Sequence, residues 1–148
     1  MARFLPDTSC MIAALCAWHE HHEAAAAELN QRLARGDTLI VAAPALAETY
    51  AVLTRLPSPH RLSAADALAV IDGSFMASHQ IVALGARAYR ALLRQAPAAG
   101  VLGGHTYDVV IARCGLDAKI AMLLTFNPKH FGWLSEHSVQ VIVPGKSS

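Results

Sequence analysis

Five short apolar runs alternate along this chain with longer stretches of helical spacing, and that alternation limits the possible folds more than any other feature. The runs are Phe4 with Leu5, then 39–43, 80–84, 120–125 and 139–143. Unbroken apolar runs of this length suit strands covered on both faces. Strands that alternate with helices imply βαβ units and a mostly parallel sheet.

The helical stretches carry their own punctuation. Residues 11–18 form an apolar helix. Residues 24–35 form an amphipathic one, with Leu29 and Leu33 four apart and Gly36 as its stop. Pro44 suits the first helical position of 45–56, which ends at Pro57-Ser58-Pro59. Ser63-Ala64-Ala65-Asp66 is a capping box with Asp in place of the usual Glu, opening a helix to about Phe75. Residues 86–95 place Tyr89, Leu92 and Leu93 on an apolar side, 96–104 is a Pro/Gly loop, and 106–114 is the last helix. With no repeat and no linker, one domain over 1–148 is expected.

Composition narrows the class. A chain of 148 residues can bury a sizeable core. Its 54% hydrophobic and 16% charged residues imply an ordered fold with apolar surface to spare for a dimer or partner interface. A formal charge of +1 gives no global basic signal, so any nucleic-acid contact must come from local patches. Cys10, Cys16 and Cys114 are odd in number and show no CxxC spacing, which fits a reduced, cytoplasmic setting better than a disulfide framework. Arg3 followed by 11–17 imitates an export signal, but Pro6-Asp7-Thr8-Ser9 interrupts it. No run reaches the ~18 apolar residues that would cross a membrane.

Eleven acids are present, and most have ordinary roles. Glu20, Glu23 and Glu28 suit a solvated helix face, Asp37 and Asp117 turns, Asp66 a cap, and Glu136 a loop. Asp7, Glu48 and Asp108 sit in apolar frames, each near a strand's carboxyl end or the helix start beyond it. Singly, Glu48 and Asp108 could merely complement helix dipoles. Together the three occupy matching topological positions, and in a parallel sheet those ends share one edge where ligands bind. Ionised carboxylates in apolar surroundings are costly unless a cation or hydrogen-bond donors meet them. Carboxylate oxygens with retained waters are what Mg²⁺ or Mn²⁺ prefers.

Four stretches resemble the PIN-domain nucleases, and more narrowly the VapC-type toxins of bacterial toxin–antitoxin pairs. They are Leu5-Pro6-Asp7 leading to Trp18 and the histidines after it; Ala43-Pro44 leading to Glu48; Gly103-Gly104-His105-Thr106-Tyr107-Asp108; and Leu124-Thr125-Phe126-Asn127-Pro128-Lys129-His130-Phe131. The resemblance spans Phe4 to Pro144. It implies a single PIN-like domain whose five-stranded sheet has the order 3-2-1-4-5, with helices flanking it and the acids at one edge. It implies RNA cleavage with Mg²⁺ or Mn²⁺, leaving a 5′-phosphate and a 3′-hydroxyl. Asp7, Glu48 and Asp108 are similar to the family's first three acids, with Asp7 and Asp108 as the main metal ligands. The fourth position falls on Asn127, where many members have Asp; an amide orients water but adds no charge, and Asp117 is a possible substitute. Ser9 and Thr125 are candidates for hydrogen bonds at the centre. The resemblance also implies a cognate antitoxin covering the acidic edge, and a homodimer.

Other features have plainer explanations. His19 and His22 share a helical spacing but lack an HExxH pattern, so a solvated helix entry is favoured over zinc. Arg87, Arg90 and Arg94 form a stripe that suits a solvated face better than a phosphate track. Gly100, Gly103 and Gly104 lack the Lys and spacing of a P-loop. Trp18 and Trp133 are expected in the core or an interface. Two other functions compete with the nuclease: a catalytically weak PIN-like module that binds RNA or protein, and a phosphotransfer enzyme using Asp7 as nucleophile. The second lacks the partner acid of an Asp-x-Asp motif, since position 9 is Ser.

Overall fold

The apolar runs pair in parallel throughout. β1 (Arg3–Pro6), β2 (Thr38–Ala42), β3 (Gln80–Val82), β4 (Met122–Leu124) and β5 (Gln140–Ile142) form one sheet in the order β3-β2-β1-β4-β5. The register sets Phe4 beside Met122, Leu5 beside Leu123 and Pro6 beside Leu124. The sheet expected to be mostly parallel is therefore wholly so. The computed structural model describes residues 1–146; Ser147 and Ser148, the end of the expected domain, lie outside the described residues.

Parallel neighbours need crossovers, and helices supply them. α1 (Thr8–Leu15) and α2 (His22–Ala34) join β1 to β2; α3 (Ala43–Leu53) and α4 (Ala64–Ile71) join β2 to β3; α5 (Ala86–Ala99) and α6 (His105–Asp117) join β3 to β4. The core lies between these layers, with Phe4, Leu5, Ile40, Val41, Leu123 and Leu124 fully buried in the sheet and Met11, Ile111, Phe131 and Leu134 packed over it.

Several boundaries differ from expectation. α1 stops at Leu15 instead of running to Trp18, because Cys16 adopts extended backbone. Ser63 does cap α4, its hydroxyl accepting from the Asp66 N–H. That helix continues as a wider turn at Asp72–Met76. α5 runs through Pro97 to Ala99, where a loop was expected. Gly100, at φ 70°, then closes it, with the Val101 N–H donating back to the Ala96 carbonyl. Turns at Pro128–His130 and Gly132–His137 were not foreseen; they carry Phe131 and Leu134 into the core.

Two expectations about charge and burial also change. Glu28 does not merely face solvent, and Asp37, at the turn into β2 as expected, does more than turn the chain. Glu28 Oε2 lies 2.7 Å from Arg32 Nε and Asp37 Oδ2 3.8 Å from its Nη1, neutralising a guanidinium that is 7% exposed. Leu92 is buried on α5, whereas Tyr89 and Leu93 are exposed.

Candidate functional site

All strands point the same way, so β1 and β4 end together, immediately before Asp7 and Thr125. Asp7 is the N-cap of α1, and the cap geometry aims its carboxylate back over its own helix. Oδ1 accepts from the Ser9 hydroxyl at 2.6 Å and the Cys10 N–H at 2.9 Å. Oδ2 accepts from the Thr125 hydroxyl at 2.5 Å. Both expected hydroxyls thus hold this carboxylate. The network runs on: the Phe126 N–H donates to Ser9 Oγ at 3.1 Å, and the Asn127 N–H to Thr125 Oγ1 at 2.9 Å.

Asp7 is 1% exposed, and burial raises its pKa from 3.8 to about 6 against the opposing pull of these hydrogen bonds; the charge of Asp108 adds to the rise. Asp108, in the first turn of α6, is therefore close enough to act on Asp7. Its Oδ2 lies 2.6 Å from His130 Nδ1. His130 in turn sits against His105, whose Nε2 is 3.3 Å from the His130 carbonyl. The sequence marks His130 only as part of a motif; its pairing with Asp108 appears once the chain is folded. No signal within its own stretch marks it, since the contact exists only once β4 and α6 are packed.

Glu48 lies half-buried on α3 and lines an open hollow with Pro44, Thr106 and Tyr107, so it flanks the helix start that carries Asp108. Asn127 is exposed just beyond Thr125. Asp117 cannot replace it. It ends α6 at the opposite edge of the sheet, beside Arg3 and Lys119. Nine residues of helix separate it from Asp108, about 13 Å of rise.

A hard divalent cation fits this donor set in one specific way. Among the described residues no three His, Cys, Asp or Glu side chains cluster tightly enough to enclose a metal. Asp7 and Asp108 stand near enough for their charges to interact, and Asp7 Oδ2 has one donor and hence a remaining acceptor position. Mg²⁺ commonly binds through one or two carboxylates, completing its shell with waters and substrate phosphate. The histidines do not form a zinc site. His19 Nδ1 accepts the His21 N–H at 3.0 Å, and His22 Nδ1 donates to the Ala13 carbonyl at 2.9 Å. Trp18 is not in the core: it is 48% exposed and stacked on His60. Trp133 is half-buried, with the Arg113 guanidinium 5.9 Å from its ring centre. Arg87, Arg90 and Arg94 are exposed, as a solvated face requires.

An all-parallel 3-2-1-4-5 sheet with acids gathered at its carboxyl edge is the arrangement of the PIN domain, and residues 4–132 match that family's profile; the chain belongs to the PIN-domain family. Within it, the chain is similar to Ribonuclease VapC40 of Mycobacterium tuberculosis, with 43% identity over 116 residues and 78% of each chain covered. It is also similar to Ribonuclease VapC27 of the same organism, with 36% identity over 137 residues and 93% of each covered. Among solved structures, VapBC2 from Rickettsia felis bound to a promoter DNA fragment aligns with a TM-score of 0.67 at 18% identity, covering 95% of this chain and 98% of that one. VapC20 of Mycobacterium tuberculosis, a Sarcin-Ricin loop cleaving toxin, aligns with a TM-score of 0.67 at 15% identity, covering 88% and 94%. At such identities the structural likeness speaks to the fold.

Proposed function

We propose that this chain is a Mg²⁺- or Mn²⁺-dependent endoribonuclease acting as the toxin of a toxin–antitoxin pair. One observation carries the proposal: two carboxylates from separate elements, Asp7 and Asp108, are held close at the carboxyl edge of the sheet, one of them buried and with its pKa raised to about 6. The relatives' ribonuclease names support the same activity. Asp7 and Asp108 would hold the cation. When bound, it supplies positive charge to a phosphodiester and makes a water more acidic. Ser9, the Cys10 N–H and Thr125 fix the Asp7 carboxylate so that only Oδ2 has room for a further partner. His130 fixes Asp108. Glu48, from its flanking hollow, is the group to orient and accept a proton from the attacking water, with Asn127 orienting by its amide. Water oxygen bonds to phosphorus as its proton passes to Glu48, the P–O3′ bond breaks with its electron pair on O3′, which takes a proton from solvent, and the products are a 5′-phosphate and a 3′-hydroxyl.

Incubation of the purified chain with total RNA, with and without Mg²⁺, tests this directly. Cleavage is expected with metal and expected to disappear in Asp7→Asn and Asp108→Asn. Metal-independent or absent cleavage in the folded parent would leave the competing reading, a PIN-like binding module, which the uncharged Asn127 favours. The solved VapBC complexes support a cognate antitoxin as partner, and co-expression of a neighbouring short gene should relieve growth arrest. A homodimer is proposed through the apolar residues exposed around the Glu48 hollow, Tyr89, Leu93 and Tyr107. No described helix is long and apolar enough to cross a membrane, and a cytoplasmic setting is proposed with the RNA substrate.

A further inference from the structure

The histidine-rich stretch after α1 is neither a metal site nor part of the acidic pair, yet its rings are ordered. His60 stacks on Trp18, with centroids 4.1 Å apart and planes 23° apart. Trp18 neighbours His19 at 5.8 Å, and His19 neighbours His21 at 5.7 Å. His21 stacks on Phe126, 4.4 Å away and nearly coplanar at 9°. Phe126 is tied by its N–H to Ser9, which also donates to Asp7. A line of five flat rings therefore begins on an exposed loop and ends beside the carboxylate centre.

Local bonding fixes this line. The His19 ring is anchored where Nδ1 accepts the His21 N–H; burial, then the neighbouring His21, lower its pKa. The outer end is accessible: Trp18 is almost half exposed, and His60 lies exposed on the loop before α4. Charge here does not suit a phosphate clamp, because Glu20 lies 3.5 Å from His21 Nε2. Aromatic surface remains, most of all at the exposed Trp18 and His60, although each stacked pair already uses one face of its rings, and every nucleobase has a face to lay on it. A peptide helix would call for a continuous aliphatic groove, and these rings do not form one.

We infer that the line His60, Trp18, His19, His21 and Phe126 is a stacking track for unpaired RNA bases flanking the bond to be cut. This rests on the ribonuclease reading above. The track holds single-stranded RNA with little sequence preference and delivers it to Asp7 and Asp108. Trp18 and His60 are binding residues outside the reacting atoms.

The test uses the full chain carrying Asp108→Asn, so that RNA stays intact, and a labelled oligouridine of about twelve nucleotides. Trp18→Ala and His60→Ala are each expected to weaken Kd about tenfold, with Trp18→Phe restoring most of the affinity. With Trp133→Phe in place, Trp18 is the sole tryptophan, and its fluorescence should be quenched as the RNA binds. Unchanged Kd in both alanine variants, with circular dichroism showing an intact fold, overturns the track. So does a loss of antitoxin affinity in these variants without loss of RNA affinity, which would make the surface a protein-docking face. The unsubstituted chain is assayed for cleavage in parallel. If it cuts RNA while the variants bind normally, the track alone fails; if it neither cuts nor binds RNA, the ribonuclease reading fails and the track with it.

Discussion

At the scale of single residues, Asp7 carries an energetic conflict. It caps α1 and is held by three donors, yet burial makes its charge expensive enough to raise its pKa to about 6. The folded chain therefore binds a proton between pH 3.8 and about 6 that the unfolded chain has released. Stability from this group is full below about pH 4, falls as pH rises through that window, and stays lower above it, by ~3 kcal/mol. Asp7→Asn keeps an oxygen for Ser9 and Cys10; the Thr125 hydroxyl, which already accepts from the Asn127 N–H, can also accept from the new amide, but its own proton then loses its acceptor, which offsets part of the gain. The variant should be ~1–2 kcal/mol more stable than the parent near pH 7 without metal, and its urea midpoint should be flatter between pH 4 and 6. A lower midpoint than the parent's at pH 7 would refute this account. A cation at the same carboxylate should relieve the same cost. Mg²⁺ at a hundredfold excess over its Kd should stabilise the parent by ~2.7 kcal/mol in a thermal melt, and Asp7→Asn should lose most of that gain.

At the scale of elements, legibility followed the range of the forces involved. β1 to β5 were readable because an apolar run must be buried whatever its neighbours, and the capping hydroxyl of Ser63 acts within three residues. The site was readable to the extent that topology alone gathers strand ends. Asp7, Ser9, Thr125 and Asp108 could be placed that way. The His130 contact with Asp108 could not, since 22 residues separate the two. The end of α5 was misplaced because Pro97 signals a break, whereas an exposed last turn tolerates one missing donor and Gly100 sets the actual stop. The Arg32 cluster was missed for a similar reason: Glu28 lies one turn away, but nothing local says that α2 presses the pair against Phe4, whose ring centre is 5.9 Å from the guanidinium. Removing Arg32 leaves Glu28 and Asp37 partly desolvated without their cation. Arg32→Ala should lower unfolding free energy by ~2–4 kcal/mol in urea titrations while leaving cleavage per folded molecule unchanged. A change below ~0.5 kcal/mol would place the cluster with ordinary surface pairs.

At the scale of the whole molecule, the apolar surplus in composition has a location. Leu93 is 56% exposed and Tyr107 60%, and both line the hollow that holds Glu48. α5 buries only Leu92 against the rest of the fold, so most of this helix is left without a partner inside the chain. A second copy seated there would remove these side chains from water, at roughly 25 cal/mol for each Å² of apolar surface. It would also narrow the Glu48 hollow, so assembly and cleavage should be linked. Leu93→Glu places a charge in the middle of that face and should leave the isolated fold intact, because position 93 is solvated in the single chain. The expected result is a shift from dimer to monomer in sedimentation equilibrium at micromolar protein, with a circular dichroism spectrum like the parent's. RNA cleavage should fall along with the dimer fraction and recover as protein concentration rises. A parent chain that sediments as a monomer, or a Leu93→Glu chain that remains dimeric, would show that this face is not where two copies meet.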